Sequence, residues 1–412
     1  MLESFIGKML ASVDVTINGS RPWDIKVHNP RLYARVLRDA NLGLGEAYME
    51  GWWDCEALDA FFYRILSGGL ERRFRFSPPV LLGILAYTLC NLQRVGRARM
   101  VAVQHYDFGN DMFTAMLDPA MQYSCALWEG ASSLEEAQRN KMDLICRKLD
   151  LKAGMHVLDI GCGWGGLGRY MAREYGVRVT GVTVSKAQVE YARANSQGLD
   201  VEWLLEDYRS LTGTYDRVVS VGMFEHVGYK NYAVFMHTVR RLLASDGLFL
   251  LHTIGANKTM RSVDPWISKY IFTNGILPSI DRIGTAVTGR FIMEDWHNLG
   301  ANYDRTLMAW ARNFTAGRAA GAFHCSEKVA RMFQYYLLSC AGAFRARDLQ
   351  VWQIVLSPRG LPGAVGGIGV SDKILLGAAV YFQHTGVHRR VGRIIQIYHA
   401  QIPLFRCLKF KA

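Results

Sequence analysis

Residues 157–166, VLDIGCGWGG, constrain the fold more than any other segment of this 412-residue chain. The segment begins as an apolar run typical of a β-strand, continues through alternating glycines at Gly161, Gly163 and Gly165, and leads into helical periodicity from Gly166. Many α/β proteins hold nucleotides on a strand, a glycine loop and a helix in this order, because glycine lets a ligand approach the backbone and the helix N-terminus is electropositive. The segment therefore predicts a nucleotide-like ligand at the end of a strand.

Two features near this loop favour S-adenosylmethionine over a dinucleotide. Asp159 stands just before the first glycine, where its carboxylate can order the loop near the ammonium group of the methionine. No acidic residue directly follows RVTGVT, residues 178–183, in the second predicted strand. An NAD site requires a carboxylate there for the ribose hydroxyls. Another nucleotide, or glycines that only serve packing, are the alternatives.

Apolar strands alternate with amphipathic helices from about residue 100 to residue 360. This alternation predicts an α/β fold with a doubly wound parallel sheet, whose ligands lie at the carboxyl ends of the strands. The predicted strands are residues 157–160, 177–182, 201–205, 216–221 and 248–253, and the predicted helices include 185–195 and 231–243.

The chain divides into three predicted parts. Residues 1–95 predict a small, mainly helical N-terminal domain, with helices at 31–39 and 58–66 and a break after the first at Gly43-Leu44-Gly45. Residues 96–357 form the α/β domain. Residues 358–412 are a Gly/Pro-rich linker and a basic tail that resembles no segment of known role.

Charge and hydropathy limit the partners of the chain. The net charge is +12, and half of it lies in residues 361–412. A basic surface suits anionic lipid headgroups or nucleic acid. The longest apolar run, residues 79–90, is shorter than the roughly 20 residues that span a bilayer. No secretion signal is predicted, so any contact with a membrane is expected at its surface.

The eight cysteines are scattered and include no CxxC pair. This distribution disfavours a zinc site and a disulfide framework, so we expect no metal and a reducing, cytoplasmic location.

Four polar side chains stand where a substrate could meet a methyl donor. Glu225 follows the fourth predicted strand and His252 lies within the fifth, so both are expected at the same edge of the sheet. Cys125 precedes the sheet and Tyr303 follows it. A lone histidine in an apolar strand, or a cysteine beside a strand, more often has a packing role, and the shared strand-end location of Glu225 and His252 is what favours a functional site.

Several motifs in order resemble the cyclopropane-fatty-acyl-phospholipid synthases and the related mycolic acid cyclopropane synthases. The resemblance covers about residues 10–357, and residues 42–53, LGLGEAYMEGWW, favour the phospholipid branch with its extra N-terminal domain. The motifs are HYDFGND at 105–111, MQYSCA at 121–126, the glycine loop at 157–166, GVTVSKAQ at 181–188, residues 219–228 and 250–255, DPWISKYIF at 264–272 and MEDWH at 293–297.

This resemblance implies a class I S-adenosylmethionine-dependent methyltransferase with a Rossmann-like doubly wound sheet. In this family a cis double bond of an unsaturated phospholipid acyl chain attacks the donor methyl, and a bound bicarbonate removes the proton that allows a cyclopropane ring to close. The implied bicarbonate site consists of Glu225, His252 and Tyr303 with main-chain groups of Cys125 and Ile254. The implied donor contacts are Tyr123, Ser124, Gly161, Gly163, Thr183, Val184, Gln188 and Tyr208, with Asp159 ordering the loop and Asp207 near the adenine.

The resemblance also implies a peripheral enzyme on the cytoplasmic face of the membrane, acting as a homodimer on membrane phospholipids. The N-terminal domain is expected to assist lipid docking or dimer contacts, and truncation after Ser357 is expected to leave activity intact.

Three rival functions are weaker. Methylation without ring closure does not need the bicarbonate site. A nucleic-acid methyltransferase would need an Asn/Asp-Pro-Pro-aromatic motif or a cysteine nucleophile after the fourth strand, and residues 222–226, GMFEH, offer neither. A non-catalytic lipid-binding protein would not need the donor residues. No nucleic-acid partner is therefore expected.

Overall fold

The computed structural model describes residues 2–70, 109–260, 264–273 and 275–361. The apolar run at 79–90, the start of the HYDFGND motif and most of the predicted tail lie outside these residues. The described elements before the sheet are α1 (Leu2–Ala11), β1 (Lys26–Val27), α2 (Arg31–Met49), β2 (Trp53–Asp54), α3 (Leu58–Ser67), α4 (Asn110–Met116) and α5 (Leu134–Lys148).

A seven-stranded sheet in the order β5-β4-β3-β6-β7-β9-β8 forms the centre of the α/β part. Its elements are β3 (His156–Ile160), α6 (Gly166–Tyr175), β4 (Arg178–Thr183), α7 (Lys186–Ala194), β5 (Val201–Leu205), β6 (Tyr215–Val221), α8 (Tyr232–Leu242), β7 (Leu243–Ala256), α9 (Pro265–Tyr270), α10 (Ile280–Val287), β8 (Ile292–Asn298), α11 (Ala301–Ala319), α12 (Glu327–Arg345) and β9 (Leu349–Ser357).

The five predicted strands correspond to β3–β7, and every pairing among them is parallel. The sheet is nevertheless mixed, because β9 pairs antiparallel with both β7 and β8. The parallel arrangement predicted for these five strands is confirmed, whereas β8 and β9 were not predicted and make the sheet mixed. The long helices α11 and α12 separate β8 from β9, and the chain returns to the sheet only after them.

Helix α2 continues through the predicted break at Gly43-Leu44-Gly45, so that prediction was also wrong. The helix kinks instead at Ala40, where φ is 49° and ψ is −130°. A Cβ atom on Gly45 would lie 2.5 Å from the Trp266 side chain. The glycine is therefore required for close packing of α2 against α9, whose first turn carries Trp266.

The N-terminal helices share one hydrophobic core with helices of the α/β part. The Tyr335 ring on α12 lies 5.2 Å from Phe62 and 5.6 Å from Tyr48, centroid to centroid. The Tyr335 hydroxyl also donates a hydrogen bond to Asn41 Oδ1 at 2.6 Å. The proposed domain boundary at residue 95 lies outside the described residues. Within the described ranges, no helix has the length and apolar character needed to cross a bilayer.

Candidate functional site

One cavity of about 990 Å³ is lined by all fifteen residues that the sequence assigned to donor binding and catalysis. The cavity lies at the carboxyl ends of β3, β4, β6 and β7, where ligands of such sheets bind. Two sets of side chains line it. The polar set follows the strands, and an apolar set comes from the N-terminal helices and from α12.

The glycine loop has the backbone geometry that its sequence predicts. Gly161, Gly163 and Gly165 have φ values of 83°, 53° and 78°, in the left-handed region that favours glycine. The Gly161 N–H donates to Val182 O at 2.9 Å, which fixes the loop against the end of β4. Gly165 is the N-cap residue of α6, so the positive end of that helix dipole faces the loop.

Asp159 is buried at the base of this loop, with 2 % of its surface exposed. Burial raises the pKa of its carboxyl to about 7, while the nearby ammonium group of Lys141 opposes the rise. The carboxyl can therefore be neutral or charged near neutral pH, and a cationic ligand group in the cavity would favour the charged form.

The turn after β4 is ordered by its own hydrogen bonds. Thr183 Oγ1 donates to Gln188 Oε1 at 2.9 Å and accepts from the Ser185 N–H at 3.2 Å. Ser185 is the N-cap of α7 and accepts from the Gln188 N–H at 3.4 Å. Val184 lies within this turn and lines the cavity. The turn presents backbone and side-chain polar groups in a fixed arrangement.

Asp207 and Tyr208 follow β5 at the far end of this polar rim. The Asp207 carboxylate accepts from Arg209 Nη2 at 2.6 Å and from Arg209 Nε at 2.8 Å. Asp207 is therefore already paired with Arg209, and any contact that it makes with the adenine would be made by this ion pair. The Tyr208 ring contacts Phe235 edge-on at 5.3 Å, and burial raises the pKa of its phenol to about 12.

Glu225 lies in a 3-10 turn (Phe224–His226) directly after β6. Its Oε1 accepts from the Ile254 N–H on β7 at 2.6 Å. Its Oε2 is buried and has no hydrogen-bond partner among the described residues. Burial raises the pKa of the carboxyl to about 7, and the Ile254 N–H opposes that rise. Glu225 can therefore hold or release a proton near neutral pH.

His252 lies on β7, opposite Gln353 on β9. Its Nδ1 is 3.3 Å from Gln353 Nε2, and only 2 % of the residue is exposed. Burial lowers the pKa of the imidazole to about 3, and the positive charges of Lys141 and Lys148 lower it further. The His252 ring is therefore uncharged, and its Nδ1 can accept the amide proton of Gln353.

Tyr303 and Cys125 complete the predicted catalytic set. The Tyr303 ring on α11 lies 4.6 Å from Phe344 and 5.8 Å from Trp310. Burial raises the pKa of this phenol well above 10, so it keeps its proton. Burial likewise raises the pKa of the Cys125 thiol, which lies 3.9 Å from Leu299 O. A neutral, fully buried thiol is a packing group and not a nucleophile.

The main-chain N–H of Ile254, predicted to hold the bicarbonate, already donates to Glu225 Oε1. In this arrangement the Ile254 N–H orients the Glu225 carboxyl.

The apolar wall of the cavity comes largely from the N-terminal region, which the sequence did not place at the site. It includes Ile6, Met9 and Leu10 on α1, Leu32 and Val36 on α2, Phe61, Phe62 and Ile65 on α3, and Cys340, Ala343 and Phe344 on α12. The cavity is therefore polar at the strand ends and apolar beyond them.

Several polar residues of the site were missed by sequence reasoning. His226 lines the cavity, and burial lowers the pKa of its imidazole to about 4. Tyr336 lines it too, and its hydroxyl accepts from Tyr123 at 3.1 Å. Lys141 and Gln138 lie behind the cavity on the buried face of α5. Polar residues at helical spacing on an otherwise apolar face are the signal that could have revealed these last two.

The comparisons with known proteins agree with this geometry. The sequence model of the family described as mycolic acid cyclopropane synthetase matches residues 94–354. The chain belongs to the cyclopropane synthase family. The cyclopropane-fatty-acyl-phospholipid synthase of Escherichia coli strain K12 is 55% identical over 350 residues, which are 85% of this chain and 92% of that protein.

Solved structures of cyclopropane synthases are similar as well. The cyclopropane synthase MmaA2 from Mycobacterium tuberculosis is 35% identical with a TM-score of 0.58, over 62% of this chain and 96% of that one. Mycolic acid cyclopropane synthase CmaA1, solved with SAH and CTAB, is 35% identical with a TM-score of 0.56 over the same shares. These findings confirm the predicted family, the class I Rossmann-like fold and the enzyme class, an S-adenosylmethionine-dependent methyltransferase of the cyclopropane synthase family.

Proposed function

We propose that this chain is a cyclopropane synthase of unsaturated phospholipids, transferring the methyl of S-adenosylmethionine to a cis double bond of an acyl chain and closing a cyclopropane ring. The observation that carries the proposal is a cavity with a buried polar cluster, Glu225 and His252, beside a long apolar wall. The high identity to the Escherichia coli phospholipid enzyme supports the same substrate class.

The reaction requires exact positioning because an alkene is a weak nucleophile. Its π electrons form a bond to the methyl carbon while the carbon–sulfur bond breaks, which releases S-adenosylhomocysteine and leaves a carbocation on the acyl chain. Loss of a proton from the added methyl then lets that electron pair close the ring. The cavity must hold the sulfonium and the double bond in line and keep water from the cation.

The residues of the polar cluster fit a small anion such as bicarbonate. Glu225 Oε2 has no partner within the described residues, and with a pKa of about 7 this carboxyl can carry a proton to donate. The Tyr303 phenol keeps its proton and can donate as well. Glu225, His252 and Tyr303 would hold the anion, with the backbone of Cys125 beside them. When bound, bicarbonate supplies the base for ring closure.

Aromatic rings beside the cluster would stabilise a developing cation. Tyr303 and Phe272 both line the cavity, and Phe344 packs on Tyr303. The faces of such rings attract positive charge, most strongly where water is excluded.

We assign the donor to the opposite side of the cluster, along the glycine loop. The methionine end would lie near Asp159 and Ser124, and the adenosine end near the turn after β4. The residues assigned to the donor are Tyr123, Ser124, Asp159, Gly161, Gly163, Thr183, Val184, Gln188, Asp207 and Tyr208, and all of them line the cavity.

The proposal includes a homodimer that works on the cytoplasmic surface of a membrane. The family resemblance supports both statements, and the basic net charge of +12 supports attraction to anionic lipid. Sedimentation equilibrium would measure the oligomeric state, and a monomer at working concentration would remove the dimer from the proposal.

The test is incubation with S-adenosylmethionine and vesicles of a cis-monounsaturated phospholipid, followed by mass and NMR analysis of the acyl chains. We expect chains that gain one methylene and show cyclopropane protons, whereas saturated vesicles stay unchanged. A methyl-branched alkene would instead identify the enzyme as a methyltransferase that does not close the ring.

The Glu225→Gln variant tests the role of the polar cluster in the same assay. We expect turnover to fall by about 10²- to 10⁴-fold, the usual contribution of a group that handles a proton in catalysis. The affinity for S-adenosylhomocysteine should stay the same, because Glu225 is assigned to the acyl side. An unchanged rate would exclude Glu225 from the reaction.

A further inference from the structure

The buried face of α5 holds the segment that carries Tyr123 and Ser124. Gln138 and Lys141 on this face are both completely buried. Gln138 Nε2 donates to Ser124 O at 2.9 Å and to Gln122 O at 3.3 Å. Lys141 Nζ donates to Ser124 Oγ at 3.0 Å and to Gln122 Oε1. Both the backbone and the side chains of this segment are therefore bonded to one helix.

Lys141 is a buried cation that lacks an ion pair within the described part of the chain. Its hydrogen-bond partners are the neutral side chains of Gln122 and Ser124. Burial lowers the pKa of its ammonium group to about 8, and Asp118 and Asp159 are near enough to oppose that fall. Burying a cation is costly without a compensating negative charge. This arrangement favours an anionic group arriving from the cavity.

The Ser124 hydroxyl connects Lys141 to the cavity. An ammonium group only donates hydrogen bonds, so Ser124 Oγ is the acceptor in the bond from Lys141. The hydroxyl proton of Ser124 is then available to an acceptor on another side. Ser124 lines the cavity, whereas Lys141 does not. The hydroxyl can therefore donate to a ligand with the charge of Lys141 behind it.

We propose that Lys141 is a positioning residue for the methyl donor, holding the carboxylate of S-adenosylmethionine through the Ser124 hydroxyl. The carboxylate is the one anionic group of that molecule, and Asp159 at the same end of the cavity is suited to its ammonium group. The inference rests on the donor assignment in the proposed function and names the chemistry that fixes the amino-acid end.

Lys148 provides a matched control on the same helix. It is also completely buried, but it pairs with Asp295 on β8 at 2.7 Å. Neither Lys148 nor Asp295 lines the cavity. Lys148→Met therefore removes a buried cation of α5 without touching the segment at residues 122–124.

The experiment measures binding of two probes by calorimetry, without lipid. The probes are S-adenosylhomocysteine and its decarboxylated analogue, which keeps the amine and lacks the carboxylate. In Lys141→Met we expect the first to bind about 10- to 100-fold more weakly, as for loss of a charge-assisted hydrogen bond, and the second to bind as in the parent. Lys148→Met should bind both probes as the parent does. The KM for S-adenosylmethionine should rise in Lys141→Met with a smaller change in kcat.

An equal loss for both probes would reduce Lys141 to a structural role, and no loss for either would overturn the proposal. If Lys141→Met does not fold, Ser124→Ala is the second variant, because it keeps the Lys141 ammonium group and removes the connecting hydroxyl. That variant should show the same selective loss, and an unchanged preference for the carboxylate would overturn the proposal. Failure of the parent chain to bind S-adenosylhomocysteine would instead contradict the donor assignment itself.

Discussion

At the scale of single residues, burial sets the charge states of the polar cluster and of Asp159. It raises the pKa of Glu225 and of Asp159 to about 7 and lowers that of His252 to about 3. At neutral pH the polar cluster thus contains an uncharged imidazole and a carboxyl that can carry a proton. Such a site can receive an anion without adding a second full negative charge beside it.

The high pKa of Glu225 predicts how stability depends on pH. The folded pKa of about 7 lies above the ordinary value of 4.5, so ionisation of this carboxyl opposes folding. As pH rises from 4.5 to 7, the parent should lose stability relative to Glu225→Gln, by up to about 3 kcal/mol, and above pH 7 the difference should stay constant. Asp159 is common to both proteins and cancels.

Urea unfolding at about pH 5 and about pH 8.5 would measure this difference in the free energy of unfolding. A difference between parent and Glu225→Gln that is the same at both pH values would show that Glu225 has no raised pKa in the folded protein.

The sequence led to fifteen residues that line the cavity, because they stand at strand ends or within motifs, and their roles in donor and anion binding stay predictions. It did not predict Lys141, His226 or Gln353, since their significance depends on contacts made only in the folded chain, with Ser124, Phe272 and His252 respectively. Gln353, for instance, faces His252 only because β9 pairs with β7 in one particular register.

At the scale of elements, α1 has one apolar face that is only partly covered. Ile6, Met9 and Leu10 are buried and line the cavity, whereas Leu2 and Phe5 are exposed at 45% and 54%. A helix whose apolar face lines a cavity at one end and is exposed at the other is suited to a membrane surface. We propose that α1 is a docking element beside the apolar wall.

Replacement of both exposed residues, Leu2→Ser with Phe5→Ser, should weaken binding to anionic phospholipid vesicles by about 10-fold or more, given the free energy of burying such side chains. Val234→Ser on α8 is the control, because Val234 is exposed at 49% on another helix. Vesicle flotation would measure both variants, and equal binding of the two would exclude α1 from docking.

The errors of prediction at this scale have local causes. Glycines at 43 and 45 have the sequence signature of a helix end, but inside α2 the close approach of Trp266 requires glycine at 45, and the Arg35 carbonyl oxygen, 2.7 Å from where a Cβ would lie, requires it at 43. β8 reads MEDWHN after its first residue and lacks clear alternation, since it is an edge strand of half-exposed residues. The strands β3–β7, each close to a helix in sequence, were predictable.

At the scale of the whole molecule, the cavity is assembled from distant parts of the chain. The glycine loop supplies one side, β6 and β7 supply the polar cluster, and α1–α3 with α12 supply the apolar wall. The core that supports this wall includes residues from Ile6 to Val351. Local periodicity could not reveal this shared core, because the sequence of each helix shows only that it has an apolar face and not what that face covers.

The end of the described chain indicates where a truncation should be made. The last described residues are bonded to this end of the sheet: the Leu361 N–H donates to Glu294 Oε1 at 3.0 Å and the Gly360 N–H donates to Ser357 Oγ at 2.9 Å. These bonds close the edge formed by β8 and β9, so a cut after Leu361 keeps contacts that a cut after Ser357 removes.

We expect the chain truncated after Leu361 to keep both its Tm and its rate of ring formation on vesicles, because every residue assigned to the site is retained. The chain truncated after Ser357 should form rings at the same rate at temperatures where it is folded. Its Tm should be somewhat lower, since the hydrogen bonds to Glu294 and Ser357 are lost. Thermal unfolding and the vesicle assay on both truncations measure these outcomes. A fall in turnover with unchanged unfolding after the cut at Leu361 would assign the basic tail, with half of the net charge, a direct part in catalysis on the membrane.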